Sequence, residues 1–168
     1  MRILGLDPGS LHTGYGLLEK HGSRLQLLAQ GRITCPSRQP LPERLARLAT
    51  ELDALVVRYQ PAVAAVETPF HGINSRTLIV LAQARGALLA TLALRAVEIH
   101  EYSPAAVKSA VSGNGRAGKQ QVARMVGILL GAATADWAED TTDALAVAIC
   151  CAQRLRRERL EELQARRK

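Results

Sequence analysis

The sequence predicts an α/β fold in which one mixed five-stranded sheet is flanked by helices. Three strand-like segments follow one another between residues 2 and 33, and helical and strand-like segments alternate after them. Strands in succession, followed by alternation with helices, are typical of a mixed sheet covered by helices. With 168 residues, of which 48% are apolar, the chain is long enough for one domain with a complete core.

The first three strands are predicted from apolar runs that end at turn residues. Residues 2–7 form a central strand that ends at Pro8-Gly9-Ser10, and residues 14–19 and 25–33 form the next two. His21-Gly22-Ser23 supplies the turn between the second and third strands. We therefore expect these three strands to form a meander.

The rest of the chain is predicted to alternate between helices and strands. Apolar residues at helical spacing indicate the helices, Pro61 ends the first of them, and Ser103-Pro104 begins the third. Gly86 interrupts the second helix at a position that would allow close helix packing. The predicted elements are a helix over 41–59, a strand over 62–67, a helix over 74–95, a strand over 97–102, helices over 104–111 and 119–130, and a last helix from 139 onward.

Charge and cysteine content indicate the kind of binding partner and the cellular compartment. The chain has 22 Lys and Arg against 15 Asp and Glu, a net charge of +7 that attracts nucleic acid or, less specifically, an anionic membrane. Cys35, Cys150 and Cys151 lack the spacing of metal ligands and are predicted to be free core residues of a reducing compartment. There is no leader segment, and no apolar run approaches the roughly 20 residues of a bilayer span. We therefore expect a soluble, cytoplasmic protein without membrane contact.

Four carboxylates stand where a metal-dependent active site would need them. Asp7 and Glu67 each end an apolar strand, and ligands gather at the carboxyl ends of strands in α/β sheets. Asp140 and Asp143 share one face at the start of the last helix. Each acid also has a plainer explanation: a turn residue, an exposed strand end, or stabilisation of the helix dipole. Together, four oxygen ligands without His or Cys fit Mg²⁺ or Mn²⁺, and two such ions can hydrolyse a phosphodiester.

The glycine-rich segment before the fourth helix is a candidate contact for a nucleic-acid backbone. Residues 113–119 nearly match a Walker A loop, but Gln120 replaces the Ser or Thr that would hold Mg²⁺, and the segment follows a predicted helix. We therefore reject a P-loop at this segment and predict that Arg116 and Lys119 contact phosphates.

Lys108 and Phe70 each allow two interpretations. Lys108 is either a solvated charge or a cation that clamps phosphate or stabilises the transition state. Phe70 lies in the predicted loop after Glu67 and is either a core aromatic or a side chain that stacks on bases.

Together these residues resemble the RuvC family of Holliday junction resolvases. The resemblance covers nearly the full chain and is carried by residues 3–10, 13–16, Val66-Glu67 with Phe70, Gln83-Ala84-Arg85-Gly86 and residues 140–146. It implies a ribonuclease H-like fold and a homodimer that resolves four-way DNA junctions in recombination and repair by nicking two symmetrically placed strands. We place the nuclease domain at residues 1–155 and a charged tail, helical or disordered, at residues 156–168.

The resemblance also assigns roles to individual residues. By position, the catalytic residues and ligands of two Mg²⁺ ions, or alternatively Mn²⁺, would be Asp7, Glu67, Asp140 and Asp143. The products would carry a 5′-phosphate and a 3′-hydroxyl. The predicted DNA contacts are Phe70, Arg76, Lys108, Arg116 and Lys119. The RuvA junction-binding protein and the RuvB motor are the expected partners.

Three other classes of protein are alternatives to a junction resolvase. An actin-like nucleotide-binding protein would need a second domain, for which the chain is too short. A junction-binding module without catalysis would not need all four carboxylates. A ribonuclease that acts on RNA–DNA hybrids stays open, because the residues themselves support a metal nuclease more firmly than they support junctions.

Overall fold

A five-stranded mixed sheet forms the centre of the protein. The computed structural model describes residues 1–68, 74–134 and 136–165, with side chains up to residue 155. The strands are β1 (Arg2–Asp7), β2 (His12–His21), β3 (Arg24–Thr34), β4 (Val63–Glu67) and β5 (Glu98–Tyr102). The helices are α1 (Leu41–Tyr59), α2 (Ser75–Leu94), α3 (Pro104–Ser112), α4 (Lys119–Leu130) and α5 (Glu139–Ala165).

The strand order is β3-β2-β1-β4-β5, which confirms the predicted mixed sheet and meander. β1, β2 and β3 are antiparallel neighbours, whereas β4 and β5 run parallel to β1. The predicted second strand was too short, because β2 pairs with β3 along its whole length from His12 to His21. Other boundaries match or differ by one residue, and the predicted division at residue 155 falls inside α5 and stays a prediction.

Two layers of helices cover the two faces of the sheet. Successive strand residues point to opposite faces, so Ile3 packs in one apolar cluster while Leu4 and Leu6 pack in the other. The first cluster joins the sheet to α3, α4 and α5, and the second joins it to α1 and α2. The active-site candidates lie at one end of the first layer, as shown below.

Helix α5 lies directly on the sheet because glycines face it. A Cβ atom at Gly5 would be 2.0 Å from the Ala144 carbonyl oxygen, and one at Gly14 would be 1.8 Å from the Asp140 carbonyl oxygen. Any larger residue at these two positions would therefore force the helix away from β1 and β2. The close approach places the first turn of α5 beside Asp7, the last residue of β1.

Helix α2 has an unusually apolar composition. Among the described residues it is the one helix that could cross a membrane by length and composition alone, so the expectation that no segment approaches that length was wrong for this helix. Its side chains Ala84, Leu88 and Leu92 are buried in the core with α1. Gly86 is exposed, and a Cβ there would meet no atom within 4 Å. The close packing expected at Gly86 is therefore not made by the residues that the structure describes.

The cysteines agree with the sequence prediction. Cys35, Cys150 and Cys151 are free and buried. The last two lie in the buried part of α5, within the apolar cluster that joins this helix to the sheet. They serve as small core residues and take no part in the site described next.

Candidate active site

Three of the four predicted carboxylates line one cavity at the edge of the sheet. Asp7 and Glu67 are the last residues of β1 and β4, which are parallel neighbours and therefore end at the same edge. Asp143 enters from the beginning of α5. The cavity has a volume of about 410 Å³, and Lys108 of α3 and Lys119 of α4 complete its charged lining. The predicted cluster of acids and lysines is thus formed by five separate elements.

Asp140 lies at the margin of this cluster, where it forms an ion pair with Arg32. The Arg32 Nη1 and Asp140 Oδ2 atoms are 3.5 Å apart. Asp7, Gly14 and Arg32 are aligned across β1, β2 and β3, and aligned residues of antiparallel strands point to the same face. Because Gly14 has no side chain, the start of α5 fits between the other two. Asp140 therefore contacts Arg32 while it still raises the pKa of Asp7 electrostatically.

Arg32 was not predicted as a site residue. Its position follows from the register of the meander, which aligns it with Gly14 and Asp7. The local sequence around residue 32 contains no turn, cap or spacing signal of a functional site. Only the pairing of all three strands could have indicated that this arginine reaches the acidic cluster.

The buried carboxylates retain protons near neutral pH. Burial, together with the negative charges of Asp143, Glu67 and Asp140, raises the pKa of Asp7 to about 8, against the opposing effect of Lys119. Burial and then Asp143 raise the pKa of Glu67 to about 7, opposed by Lys108 and Lys119. The pKa of Asp143 is also raised, chiefly by burial. The cluster therefore lacks enough positive charge of its own to keep all its acids ionised.

This shortage of positive charge fits a cation site. The ligands are carboxylate oxygens, which suit hard divalent ions, and a bound cation would replace the protons that burial favours. As the side chains stand, no three His, Cys, Asp or Glu residues of the described segments are close enough together to hold a metal ion. The donor set fits, and closing it around an ion requires rotation of the carboxylate side chains.

The predicted DNA contacts differ in their distance from the acids. Lys108 and Lys119 line the cavity itself, and Lys119 also pairs with Glu139 at the start of α5. Arg116 is exposed in the loop between α3 and α4, and Arg76 is exposed in the first turn of α2. Phe70 lies outside the described residues. The structure thus brings the two lysines, but neither arginine, into the lining of the cavity.

Sequence comparison identifies relatives along nearly the whole chain. The model of the family described as "Crossover junction endodeoxyribonuclease RuvC" matches residues 3–151. The crossover junction endodeoxyribonuclease RuvC of Heliobacterium modesticaldum is 45% identical over 155 residues, which cover 92% of this chain and 96% of the relative. That of Chloroflexus aggregans is 46% identical over 150 residues, covering 89% and 92%.

A solved structure agrees with these sequence matches. RuvC of Thermus thermophilus, in complex with a Holliday junction substrate, has a TM-score of 0.88 and 31% identity. The alignment covers 94% of this chain and 96% of that one. The likeness confirms the ribonuclease H-like fold expected from the resemblance.

Proposed function

The chain belongs to the RuvC family of crossover junction endodeoxyribonucleases, and we propose that Asp7, Glu67, Asp140 and Asp143 hold the metal ions with which it cuts DNA. As a member of this family it is an endonuclease that resolves Holliday junctions. The observation that carries the assignment of the site is the meeting of three of these carboxylates with two lysines in one cavity. Asp140 lies beside them at the start of the same helix as Asp143.

The chemistry follows from the donor set. When bound, two divalent ions supply an activated water and stabilise the leaving oxygen, which gives a 5′-phosphate and a 3′-hydroxyl. Oxygen-only ligands favour Mg²⁺, with Mn²⁺ as the alternative. Asp7 interacts electrostatically with all three other acids, so it is the candidate for the ligand shared by both ions. Asp143 raises the pKa of both Asp7 and Glu67, which links these three acids in one electrostatic cluster.

Lysines on one side of the cavity give the DNA backbone a place to bind. Lys108 and Lys119 face the carboxylates from α3 and α4, and their charge opposes the raised pKa values of Glu67 and Asp143. A phosphate entering the cavity would meet both ammonium groups, which would orient it and offset the negative charge that develops at phosphorus. Arg116, Arg76 and Phe70 are proposed as further DNA contacts outside the cavity lining.

We propose a homodimer that places two such sites on one junction. The paired, symmetric nicks of a junction require two active sites related by twofold symmetry. Helix α2 offers a face for a second copy, because its exposed positions between residues 79 and 93 carry no charge. These positions are Ile79, Ala82, Gln83, Gly86, Ala90 and Ala93. Small residues there would let two helices approach closely, and Gly86 leaves open space for the partner.

The remaining partners are proposed from membership of the family. The RuvA junction-binding protein and the RuvB motor would act on the same four-way DNA. A reducing cytoplasm is the proposed location, which the DNA-processing role, the basic charge and the free buried cysteines support.

The deciding experiment is cleavage of a mobile four-way junction in Mg²⁺ and in Mn²⁺. Matched duplex DNA and an RNA–DNA hybrid are tested alongside, with the variants Asp7→Asn and Asp136→Asn. We expect paired symmetric nicks in the junction alone. Asp7→Asn should abolish them, and Asp136→Asn, at an exposed acid, should leave them unchanged. The Asp7→Asn protein should still bind the junction in a gel-shift assay without metal, because the basic surface is intact.

Other outcomes of this experiment would change the proposal. Cleavage of the hybrid in place of the junction would keep the metal site but assign a different substrate. Junction binding without cleavage in either metal would indicate a non-catalytic module. Loss of metal-free binding in Asp7→Asn would contradict the separation of binding from catalysis.

A further inference from the structure

We propose that Arg85 is a positioning residue that fixes the main chain of Glu67 and thereby holds this acid in place for catalysis. The inference rests on the function proposed above, since it requires Glu67 to act in the metal site. Arg85 lies in the middle of α2, on the other face of the sheet from α5, and does not line the cavity. Its effect must therefore reach the site through Glu67 itself.

The guanidinium of Arg85 joins α2 to the ends of two strands. Its Nε atom donates to the Glu67 carbonyl oxygen at 3.4 Å, and its Nη2 atom donates to Glu101 Oε2 at 2.6 Å. The Arg85 side chain is only 15% exposed, whereas that of Glu101 is 47% exposed. A planar guanidinium with donors in a fixed fork is well suited to hold two such acceptors at once.

The peptide group after Glu67 is held at both ends. Its carbonyl accepts from Arg85, and its N–H, which belongs to Thr68, donates to the Tyr102 carbonyl oxygen at 2.9 Å. Because a peptide group is planar, fixing both its ends restricts the ψ angle of Glu67. The direction of the Glu67 side chain from β4 is then set by contacts outside the cavity.

Arg85 acts through position and not through charge at the carboxylate. The pKa of Glu67 is shifted by burial, Asp143, Lys108 and Lys119, and the charge of Arg85 is offset by Glu101. Loss of Arg85 should therefore leave the ionisation of the site largely intact but let the end of β4 move. Groups that orient metal ligands typically contribute about 10–100-fold to metal affinity or rate.

The test compares Arg85→Gln with Arg95→Gln, a matched control at the C-cap of the same helix. Arg95 makes two hydrogen bonds to Asp53, at 2.6 and 2.7 Å, so its removal also breaks an arginine–carboxylate pair. Three quantities are measured for each protein: the single-turnover cleavage rate as a function of Mg²⁺ concentration, the affinity of the DNA-free protein for Mn²⁺ by calorimetry, and junction affinity without metal.

We expect Arg85→Gln to lower the cleavage rate and the Mn²⁺ affinity by about 10–100-fold, with metal-free junction affinity unchanged within about twofold. Arg85→Lys should recover part of the loss, because an ammonium group can still pair with Glu101 but lacks the fork. Equal rates and equal Mn²⁺ affinities for Arg85→Gln and Arg95→Gln would overturn the inference.

A second variant decides the question if Arg85→Gln fails to fold. Glu101→Gln leaves Arg85 in place but removes the charge that orients it, and Glu101 is exposed enough to tolerate the change. A several-fold lower cleavage rate, together with a higher Mg²⁺ concentration needed for half-maximal rate, supports the inference. A wild-type rate and Mg²⁺ dependence contradict it. Full cleavage by Glu67→Gln would instead refute the proposed function, which separates the two failures.

Discussion

At the scale of single residues, the candidate site consists of buried acids whose negative charges are only partly balanced by nearby lysines. Asp7 and Glu67 have pKa values of about 8 and about 7 because burial disfavours their charged forms. The two lysines of the cavity oppose this effect without cancelling it. The metal-free site therefore stores protons, and cation binding and proton release are coupled.

Metal binding should release protons at neutral pH. At about pH 7, Asp7 is largely protonated and Glu67 about half protonated, so we expect the release of between about one and two protons per protein. Near pH 9.5 both acids are ionised beforehand and the release should almost vanish. Calorimetry of Mn²⁺ binding in buffers of different ionisation enthalpy measures this number. Identical heats in all buffers at pH 7 would contradict it.

The same pKa values predict how the metal-free protein responds to pH. An acid whose pKa is raised by folding stabilises the fold below its unfolded pKa and loses that contribution as pH rises through its folded pKa. For Asp7 the loss extends from about pH 4 to about pH 8. Asp7→Asn cannot ionise, so at pH 8 in EDTA it should be more stable than the wild type by an amount on the order of 2 kcal/mol.

Urea unfolding at a series of pH values tests this second expectation. The advantage of Asp7→Asn should shrink as pH falls towards about 4 and vanish below the unfolded pKa, where the wild-type carboxyl is protonated in both states. Asp136→Asn, at an exposed acid, should show little difference from the wild type at any pH. An advantage of Asp7→Asn that stays constant with pH would mean that ionisation is not its cause.

At the scale of elements, the close packing of α5 on the sheet brings the acids at the strand ends next to the acids at the start of the helix. Asp7 and Glu67 come from strand ends, and Asp140 and Asp143 come from the start of α5. Their meeting depends on the absence of side chains at positions that face the helix. At Gly5 and Gly14 the contact is with main-chain oxygens of α5, which cannot rotate aside, and Gly14 is the tighter of the two, at 1.8 Å against 2.0 Å.

We therefore expect Gly14→Ala to damage both stability and activity. The added Cβ would lie 1.8 Å from the Asp140 carbonyl oxygen, so the first turn of α5 must shift. Overpacking of this kind costs about 1–3 kcal/mol or more, and the displaced aspartates should reduce cleavage strongly. Gly118→Ala is the control, since a Cβ there meets nothing within 4 Å. Urea unfolding measures the stability of both variants, and junction cleavage measures their activity. Equal losses of stability and activity in the two variants would refute the role of Gly14.

Local patterns in the sequence predicted the elements better than they predicted contacts between them. Asp7 and Glu67 could be found because a charged residue at the end of an apolar run is visible in the sequence itself. Arg32 and Arg85 could not be assigned, because their roles depend on strand register and on the packing of α2 against the sheet. The extra length of β2 was missed for the same reason, since pairing with β3 extends it beyond the residues that pair with β1.

At the scale of the whole molecule, α2 separates two functions on its two sides. Its buried side carries Leu88 and Leu92 into the core, and its flank carries Arg85 to Glu67. Its outer side, from Ile79 to Ala93, presents only uncharged residues to a prospective second copy. In an assembly of two chains, one helix would thus carry both the proposed contact between copies and the hydrogen bond from Arg85 to Glu67.

Gly86→Leu should separate dimer formation from folding. A Cβ at this position would meet no atom of the described residues within 4 Å, and leucine favours helix more than glycine by up to about 1 kcal/mol. We expect a chain at least as stable as the wild type that sediments as a monomer and loses paired nicks. Ile128→Ser, at an exposed apolar residue of α4, is the control and should leave the dimer intact. A dimeric Gly86→Leu protein would exclude this face.

The order of the elements along the chain also affects how the enzyme is made. Asp140 and Asp143 are translated after all five strands, and α5 then covers the sheet face that carries Ile3 and Val63. A ribosome-bound chain that has not yet released α5 holds only half of its acids and leaves that apolar face open to solvent. If the four acids act as proposed, the nascent chain is inactive until α5 is released, and the uncovered sheet is the apolar surface that a chaperone would protect until then.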